Sequence, residues 1–204
     1  MAGGNAKVKH NKDVKQVVKS MLSARVEHKR AVALGAAVDL PTAGVIHLVS
    51  AIAQGDDIGN RSGDMIRPVR LKIRVQFAQL AANFNSFSGR VIIFQDMTQG
   101  GAVATVGSVL DSASPLSAFT SVWRAENRFK ILYDREESLV GQTPRALVNF
   151  HVSLPMKGVI RYIGTSAAIG SCGRGNIFAL FITNAAAAGA NQYAWSYELE
   201  YTDA

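Results

Sequence analysis

Val69-Arg70-Leu71-Lys72-Ile73-Arg74-Val75-Gln76-Phe77 alternates without a break between apolar and polar side chains. A period of two marks an extended strand with one face on a core and the other in solvent. The spacing predicts that Val69, Leu71, Ile73, Val75 and Phe77 pack inward and that Arg70, Lys72, Arg74 and Gln76 point out. Inward side chains at about 1.5–3 kcal/mol each make this a large stabilising element, before the entropy of ordering it is subtracted. Three like charges on the opposite face repel one another, so that face meets water with counter-ions, an acidic partner or phosphate.

Outward from this strand, further strands are predicted at 42–54, 89–96, 128–134, 146–154, 158–164, 176–184 and 193–202. Turn residues punctuate them: Gly55-Asp56-Asp57, Gly100-Gly101, Pro144, Pro155 and the Gly-rich 170–175. The last strand sets Tyr193, Trp195, Tyr197, Leu199 and Tyr201 against Ala194, Ser196, Glu198 and Glu200, again one apolar and one polar face. Residues 103–110 read as a short helix, 185–190 as a loop tip, and 31–40 as a small-residue linker running into Pro41. Strands of this kind with unequal loops imply an all-β fold, a single eight-stranded jelly-roll sandwich.

Charge divides the chain differently. The first thirty residues hold eight of the 22 Lys and Arg but two of the 15 acids, Asp13 and Glu27, and so carry +6 of the +7 formal charge. Within them Val14, Val17, Val18, Met21, Leu22 and Val26 follow the spacing of one helical face, with lysines and arginines elsewhere. The expectation is a basic N-terminal arm with an amphipathic helix over residues 1–40, followed by a jelly-roll shell domain over 41–204. Such an arm neutralises a polyanion, and the expected partner is nucleic acid. A solvated helix docked on its own domain is the bland alternative. A membrane-surface helix ranks below both, because the stripe is short and lacks Trp and Phe.

Several classes of function have no residues to stand on. The one cysteine, Cys172, rules out an intrachain disulfide. His10, His28, His47 and His151 are scattered, without metal-ligand or catalytic spacing, and no GxSxG, Walker loop, CxxC or HExxH is present. No enzyme activity and no small-molecule substrate are expected. Lysines interrupt the N-terminus where a signal peptide needs an apolar core, and no apolar run approaches membrane-spanning length. A soluble protein made in the cytosol is expected.

Gln54-Gly55-Asp56-Asp57-Ile58-Gly59-Asn60-Arg61-Ser62-Gly63-Asp64-Met65 packs three carboxylates among small polar residues between two strands. It reads either as a solvated turn or as a hard-cation site, since Ca²⁺ takes carboxylate and carbonyl oxygens. The spacing matches no EF-hand pattern.

This loop, with Val26-Glu27-His28-Lys29-Arg30, Thr42-Ala43-Gly44, Arg128-Phe129, Ile131-Leu132, Asp134 and the terminal Tyr201-Thr202-Asp203-Ala204, resembles the coat proteins of satellite tobacco necrosis virus and its relatives. The resemblance runs in order along nearly the whole chain. It implies a viral capsid protein: sixty copies in a T=1 icosahedral shell, assembled in the host cytoplasm into a virion, with the arm pointing inward onto single-stranded RNA. It also implies Ca²⁺ at subunit contacts, through the side chains of Glu27 and Asp203 and the backbone oxygens of Ser62 and Met65, with Asp56 around the threefold axis and the Val140 carbonyl facing the fivefold. The expected RNA contacts are Lys7, Lys9, Lys12, Lys15, Lys19 and Arg25 from the arm and Arg67 and Arg128 from the domain; Lys19 sits where the family has a basic residue, Gln16 and Ser20 stand where it has arginines, and Lys12 and Lys15 compensate. Coats of small circular single-stranded DNA viruses share the RF-ILYD element and a QG-R-G loop. A DNA-virus coat, or a non-viral oligomeric nucleic-acid-binding jelly roll, is therefore the alternative.

Overall fold

The computed structural model describes residues 14–17, 27–79, 87–98, 100–120, 128–139, 147–184 and 191–204. Its strands in chain order are β1 (His28–Asp39), β2 (Val45–Leu48), β3 (Met65–Gln79), β4 (Phe87–Asp96), β5 (Phe129–Leu139), β6 (Leu147–Pro155), β7 (Ile160–Arg161), β8 (Asn176–Thr183) and β9 (Asn191–Asp203). One sheet runs β1-β9-β3-β6, with the two-residue β7 beside the start of β3, and the other runs β2-β8-β4-β5. All pairings between these strands are antiparallel, and the chain passes repeatedly from one sheet to the other. This is the jelly roll, with eight principal strands and β7 as a short addition.

Alternation builds the core between the sheets. Leu71, Ile73, Val75 and Phe77 of β3, Val148, Phe150 and Val152 of β6, and Tyr193, Tyr197, Leu199 and Tyr201 of β9 meet Ile177, Ala179 and Phe181 of β8 and Val91 and Ile93 of β4. The opposite face of the second sheet is covered too. Ile92, Phe94, Phe178, Leu180 and Ile182 pack under Ala104, Val109 and Leu110, which is why every residue of β8 is buried. Arg90 latches this cover: its guanidinium grips Asp134 through two bonds of 2.7 and 2.6 Å and donates to the carbonyls of Pro115 and Ser117 at 2.9 and 2.7 Å.

Val69 departs from the expected pattern: it is 39% exposed rather than in the core. Pro68 faces Tyr201 and Arg70 faces Glu200, so Val69 is one residue extra, a β-bulge. Pro68 gives the reason. It has no N–H to offer a ladder, and it lies where the neighbour of β3 changes from β7, paired with Met65 and Ile66, to β6, paired from Arg70 onward.

The expected linker at 31–40 is instead most of β1, so the sheet begins within the segment assigned to the arm. β1 is an edge strand whose side chains are largely exposed, so its sequence carries no apolar–polar alternation to read. Gly35 has a packing role here, since a Cβ on it would lie 2.7 Å from Trp195 Nε1. Strand 42–54 contracts to Val45–Leu48, strand 158–164 to Ile160–Arg161, and helix 103–110 to the single turn Val106–Val109. Of the arm helix, residues 14–17 are helical, with Val14 and Val17 about half exposed; the rest of the predicted helix lies outside the described residues, as does the 185–190 loop tip.

The bulge separates two substitutions that strict alternation treats alike. Leu71→Ala should cost about 2–5 kcal/mol in denaturant unfolding, and Val69→Ala less than about 1 kcal/mol; equal losses would contradict the register described.

Candidate assembly and nucleic-acid interface

The 54–65 loop is organised by an arginine. Arg61 is completely buried: its Nε donates to the Ile52 carbonyl at 3.2 Å, its two Nη groups to the carbonyls of Gly63 and Gly164, and its guanidinium lies 4.1 Å from the Tyr162 ring centre. Asp64 pairs with it at 3.6 Å. Burying a guanidinium is tolerable when carbonyls and a carboxylate satisfy it. The anchor leaves Asp56 and Asp57 exposed on the loop, with Asp57 accepting from Asn60 Nδ2 at 3.3 Å.

The loop then meets both ends of the sandwich. Asp203, at the end of β9, accepts from Ser62 N at 3.1 Å and Ser62 Oγ at 2.8 Å. Lys29, on the inward-facing side of β1, brings its ammonium 2.9 Å from Asp203 Oδ2, 2.9 Å from Ser62 Oγ and 3.7 Å from Glu27 Oε2. Its side chain is 2% exposed. The hydrogen bond to Asp203 raises the Lys29 pKa against the cost of burial. Burial pushes the Asp203 pKa upward, but the bonds from Lys29 and Ser62 outweigh it and hold the carboxyl below its ordinary value.

Three of the expected calcium residues, Glu27, Ser62 and Asp203, are thus brought together. Met65 joins them through its carbonyl, which accepts from Ala204 N at 3.3 Å, and the Ser62 carbonyl accepts from Gln54 Nε2 at 3.2 Å. The donors are all oxygens, as a hard cation requires, and each carbonyl keeps a second lone pair. One chain falls short of the six to eight oxygens calcium takes, and Lys29 already supplies a cation to Asp203. Among the described residues no group of three His, Cys, Asp or Glu side chains stands ready to hold a metal. Within one chain the donors are of the kind calcium takes but too few to complete its shell. Asp56 lies apart on the loop, and Val140 is outside the described residues.

Of the expected nucleic-acid contacts, Lys7, Lys9, Lys12, Lys19 and Arg25 lie outside the described residues, and Lys15 is exposed. Arg67 is exposed on β3. Arg128 lies over the Phe129 ring and pairs with Asp96 at 3.0 Å, so part of its charge is compensated within the chain. The anticipated cationic face of β3 is modified in the same way at Lys72, which bonds Glu198 at 3.2 Å and Glu200 at 2.8 Å.

Cys172 and His47 are packed into the fold, while His10 lies outside the described residues. Cys172 is buried, and desolvation pushes its thiol up to about 11, which suppresses the nucleophilic thiolate. His47 sits 4.6 Å from the Trp195 ring centre and within 2.9 Å of Tyr193 Oη, and burial lowers its pKa. Lys29, expected on the phosphate-facing side of the arm helix, is instead buried in β1, and Arg61 is not among the site residues expected from sequence. Lys29 could have been found by reading 28–39 as a strand, which places it in phase with Ala31; Arg61 carries no periodic signal.

A family model described as satellite tobacco necrosis virus coat protein matches residues 1–204. The chain belongs to the satellite tobacco necrosis virus coat protein family. It is 34% identical over 192 residues to the capsid protein of Satellite tobacco necrosis virus 1, covering 93% of each chain. It is 32% identical over 206 residues to the coat protein of Satellite tobacco necrosis virus 2, covering 100% of each. The coat protein of Maize white line mosaic Satellite virus is 32% identical over 193 residues, 94% of this chain and 88% of that one. The solved chain of Desmodium yellow mottle tymovirus is a remote likeness, 8% identical with a TM-score of 0.37 over 87% of this chain and 88% of that one, and adds nothing to the assignment. The protein is a structural component of a multi-subunit virion shell.

In this coat protein the Lys29–Asp203 bond closes the sandwich where the arm leaves it. Asp203→Ala strands a buried ammonium and should lower subunit stability by about 2 kcal/mol at pH 7. A carboxylate held below its ordinary pKa contributes stability above about pH 4 and loses it as pH falls through the depressed value. Thermal melts should therefore show the gap between wild type and variant narrowing below about pH 4; a gap that stays constant into acid would contradict the ion pair.

Proposed function

We propose that this coat protein self-assembles into a sixty-subunit T=1 icosahedral shell in the host cytoplasm and packages single-stranded RNA through its basic N-terminal arm, without catalysis. The observation that carries the reading is the charge asymmetry: +6 in the first thirty residues against +1 in the remaining 174. Its connection to the fold supports it. The arm enters the sandwich at His28, which pairs with Thr202, and Thr202 pairs in turn with Arg67. Arg30 of β1 and Arg67 and Arg70 of β3 therefore share one face at the end of the sheet where the arm joins it.

The binding is electrostatic and indifferent to sequence. Six cations precede residue 27; at about 0.7 counter-ions per neutralised single-strand phosphate they give a log affinity against log salt slope of roughly −4 per arm. Many arms on one strand multiply that affinity without new contacts. Calcium belongs to the same proposal, at a contact where Glu27, Asp203 and the Ser62 and Met65 carbonyls are completed by a neighbour; Asp56 at the threefold and the Val140 carbonyl at the fivefold extend it. Bound there, the ion would neutralise facing carboxylates of adjacent subunits.

Particles from a chain lacking residues 1–26, which spares all of β1, should contain several-fold less nucleic acid than full-length particles by the ratio of absorbance at 260 and 280 nm. An unchanged ratio would reject the arm as the packaging element. RNase should digest the extracted nucleic acid and DNase should leave it intact; the reverse would favour the single-stranded DNA alternative. Chelation with EDTA should swell the shell and lower its melting temperature, and an unaltered melt would remove calcium from the account.

A further inference from the structure

Among the described residues three cations are buried, Lys29, Arg61 and Arg90, and they are satisfied in different ways. Arg61 and Arg90 donate to backbone carbonyls, those of Ile52, Gly63 and Gly164 for the first and of Pro115 and Ser117 for the second, and each adds one carboxylate. Lys29 instead holds two carboxylates and a hydroxyl: Asp203 Oδ2 at 2.9 Å, Glu27 Oε2 at 3.7 Å and Ser62 Oγ at 2.9 Å. The proposed calcium contact takes its side-chain ligands from the same two carboxylates. The ammonium and a divalent ion therefore have one set of anions to share.

Lys29 cannot leave that set for water. It faces inward beside buried Ala31, is paired with Tyr201 across the ladder, and its side chain is 2% exposed. An ammonium buried to that degree keeps an anion beside it. Asp203 is crowded by the arrangement: Oδ2 accepts from Lys29 and from Ser62 Oγ at 2.8 Å, and Oδ1 from Ser62 N at 3.1 Å. Two carboxylates and one ammonium leave this corner of one chain with a single negative charge. Calcium affinity follows the charge and number of the oxygen ligands, and two cations on one carboxylate repel each other.

We propose that Lys29 makes calcium uptake depend on assembly: in the free subunit its ammonium is the cation of this corner, and it yields Asp203 to calcium only when a neighbouring copy adds oxygen donors. The inference rests on the calcium contact of the proposed function and adds the group that regulates it. An ammonium has donors and no acceptor, so Lys29 acts on the ion through Asp203 and is a positioning residue, not a ligand. Ser62 Oγ and Glu27 stay beside the ammonium when Asp203 turns to calcium, so the buried charge is not stranded. Removal of calcium then loosens the contact between copies while Lys29 keeps the corner of each subunit closed.

The test uses full-length wild type, K29M and K29R, as free subunits kept below their assembly concentration and as assembled shells, with thermal melts in EDTA and across a calcium series. Wild-type shells should melt higher in calcium, whereas wild-type and K29R subunits should not respond. K29M removes the charge and keeps an apolar stem. Its subunits should melt below wild type in EDTA, rise with calcium, and bind calcium about tenfold tighter or more than wild-type subunits. If shells respond but K29M subunits bind calcium no tighter than wild type, the inference is overturned while the calcium contact stands. Wild-type subunits that bind calcium as tightly as shells would overturn it too, as would K29R subunits that respond like K29M. If wild-type shells do not respond, the calcium contact falls and the inference with it. Should K29M fold in neither condition, the neutral K29Q decides by the same comparison of subunits.

Discussion

One supernumerary residue in β3 sets the direction of every side chain that follows it. Strands have a period of two, so inserting Val69 between the positions facing Tyr201 and Glu200 exchanges the two faces of the strand. Ahead of the bulge Ile66 and Pro68 are inward; beyond it Leu71, Ile73, Val75 and Phe77 are. Ile66 and the second set pack into one core, and Arg67, Arg70, Lys72 and Arg74 share the outward face. A proline at the first step of the bulge makes this arrangement cheap, because the donor it lacks has no acceptor to serve where β7 gives way to β6.

The sheet that carries this row is also the sheet into which the arm feeds. β1 lies at its edge, β9 lies between β1 and β3, and the Lys29 ammonium clasps the carboxylate at the end of β9 from the inward side of β1. Arg61 holds the intervening loop, so that Ser62 reaches the same carboxylate. Chain entry, chain exit and the acidic loop therefore converge at one corner of the sandwich. Basic side chains leave that corner on the outer face, and oxygen donors gather on the inner.

Much of the sandwich was legible in the sequence because half-buried strands advertise themselves. The alternation of β3 beyond Arg70 and of β9 predicted the buried and exposed sides residue by residue, and the Gly, Pro and Asp clusters marked the loops. β1 was not legible, since an edge strand with few buried side chains has no alternation to show, and its Ala- and Gly-rich run reads as a linker. Val69 was misplaced because periodicity carries no signal for one inserted residue, although Pro68 was the available clue. At the candidate site the family resemblance brought Glu27, Ser62, Met65 and Asp203 together, as the fold does. It did not show that Lys29 stands among them, because a buried lysine paired across β1 and β9 is a property of tertiary register and not of local pattern.

Packaging through the arm, as proposed, requires the corner at which the arm joins the β1-β9-β3-β6 sheet to face the nucleic acid inside the shell. Cryo-electron microscopy of purified particles tests this most directly. The account predicts a closed icosahedral shell with that corner on the interior and nucleic-acid density beside it. Particles in which the corner lines the exterior, or is buried against a neighbouring subunit with no nucleic-acid density near it, would contradict it.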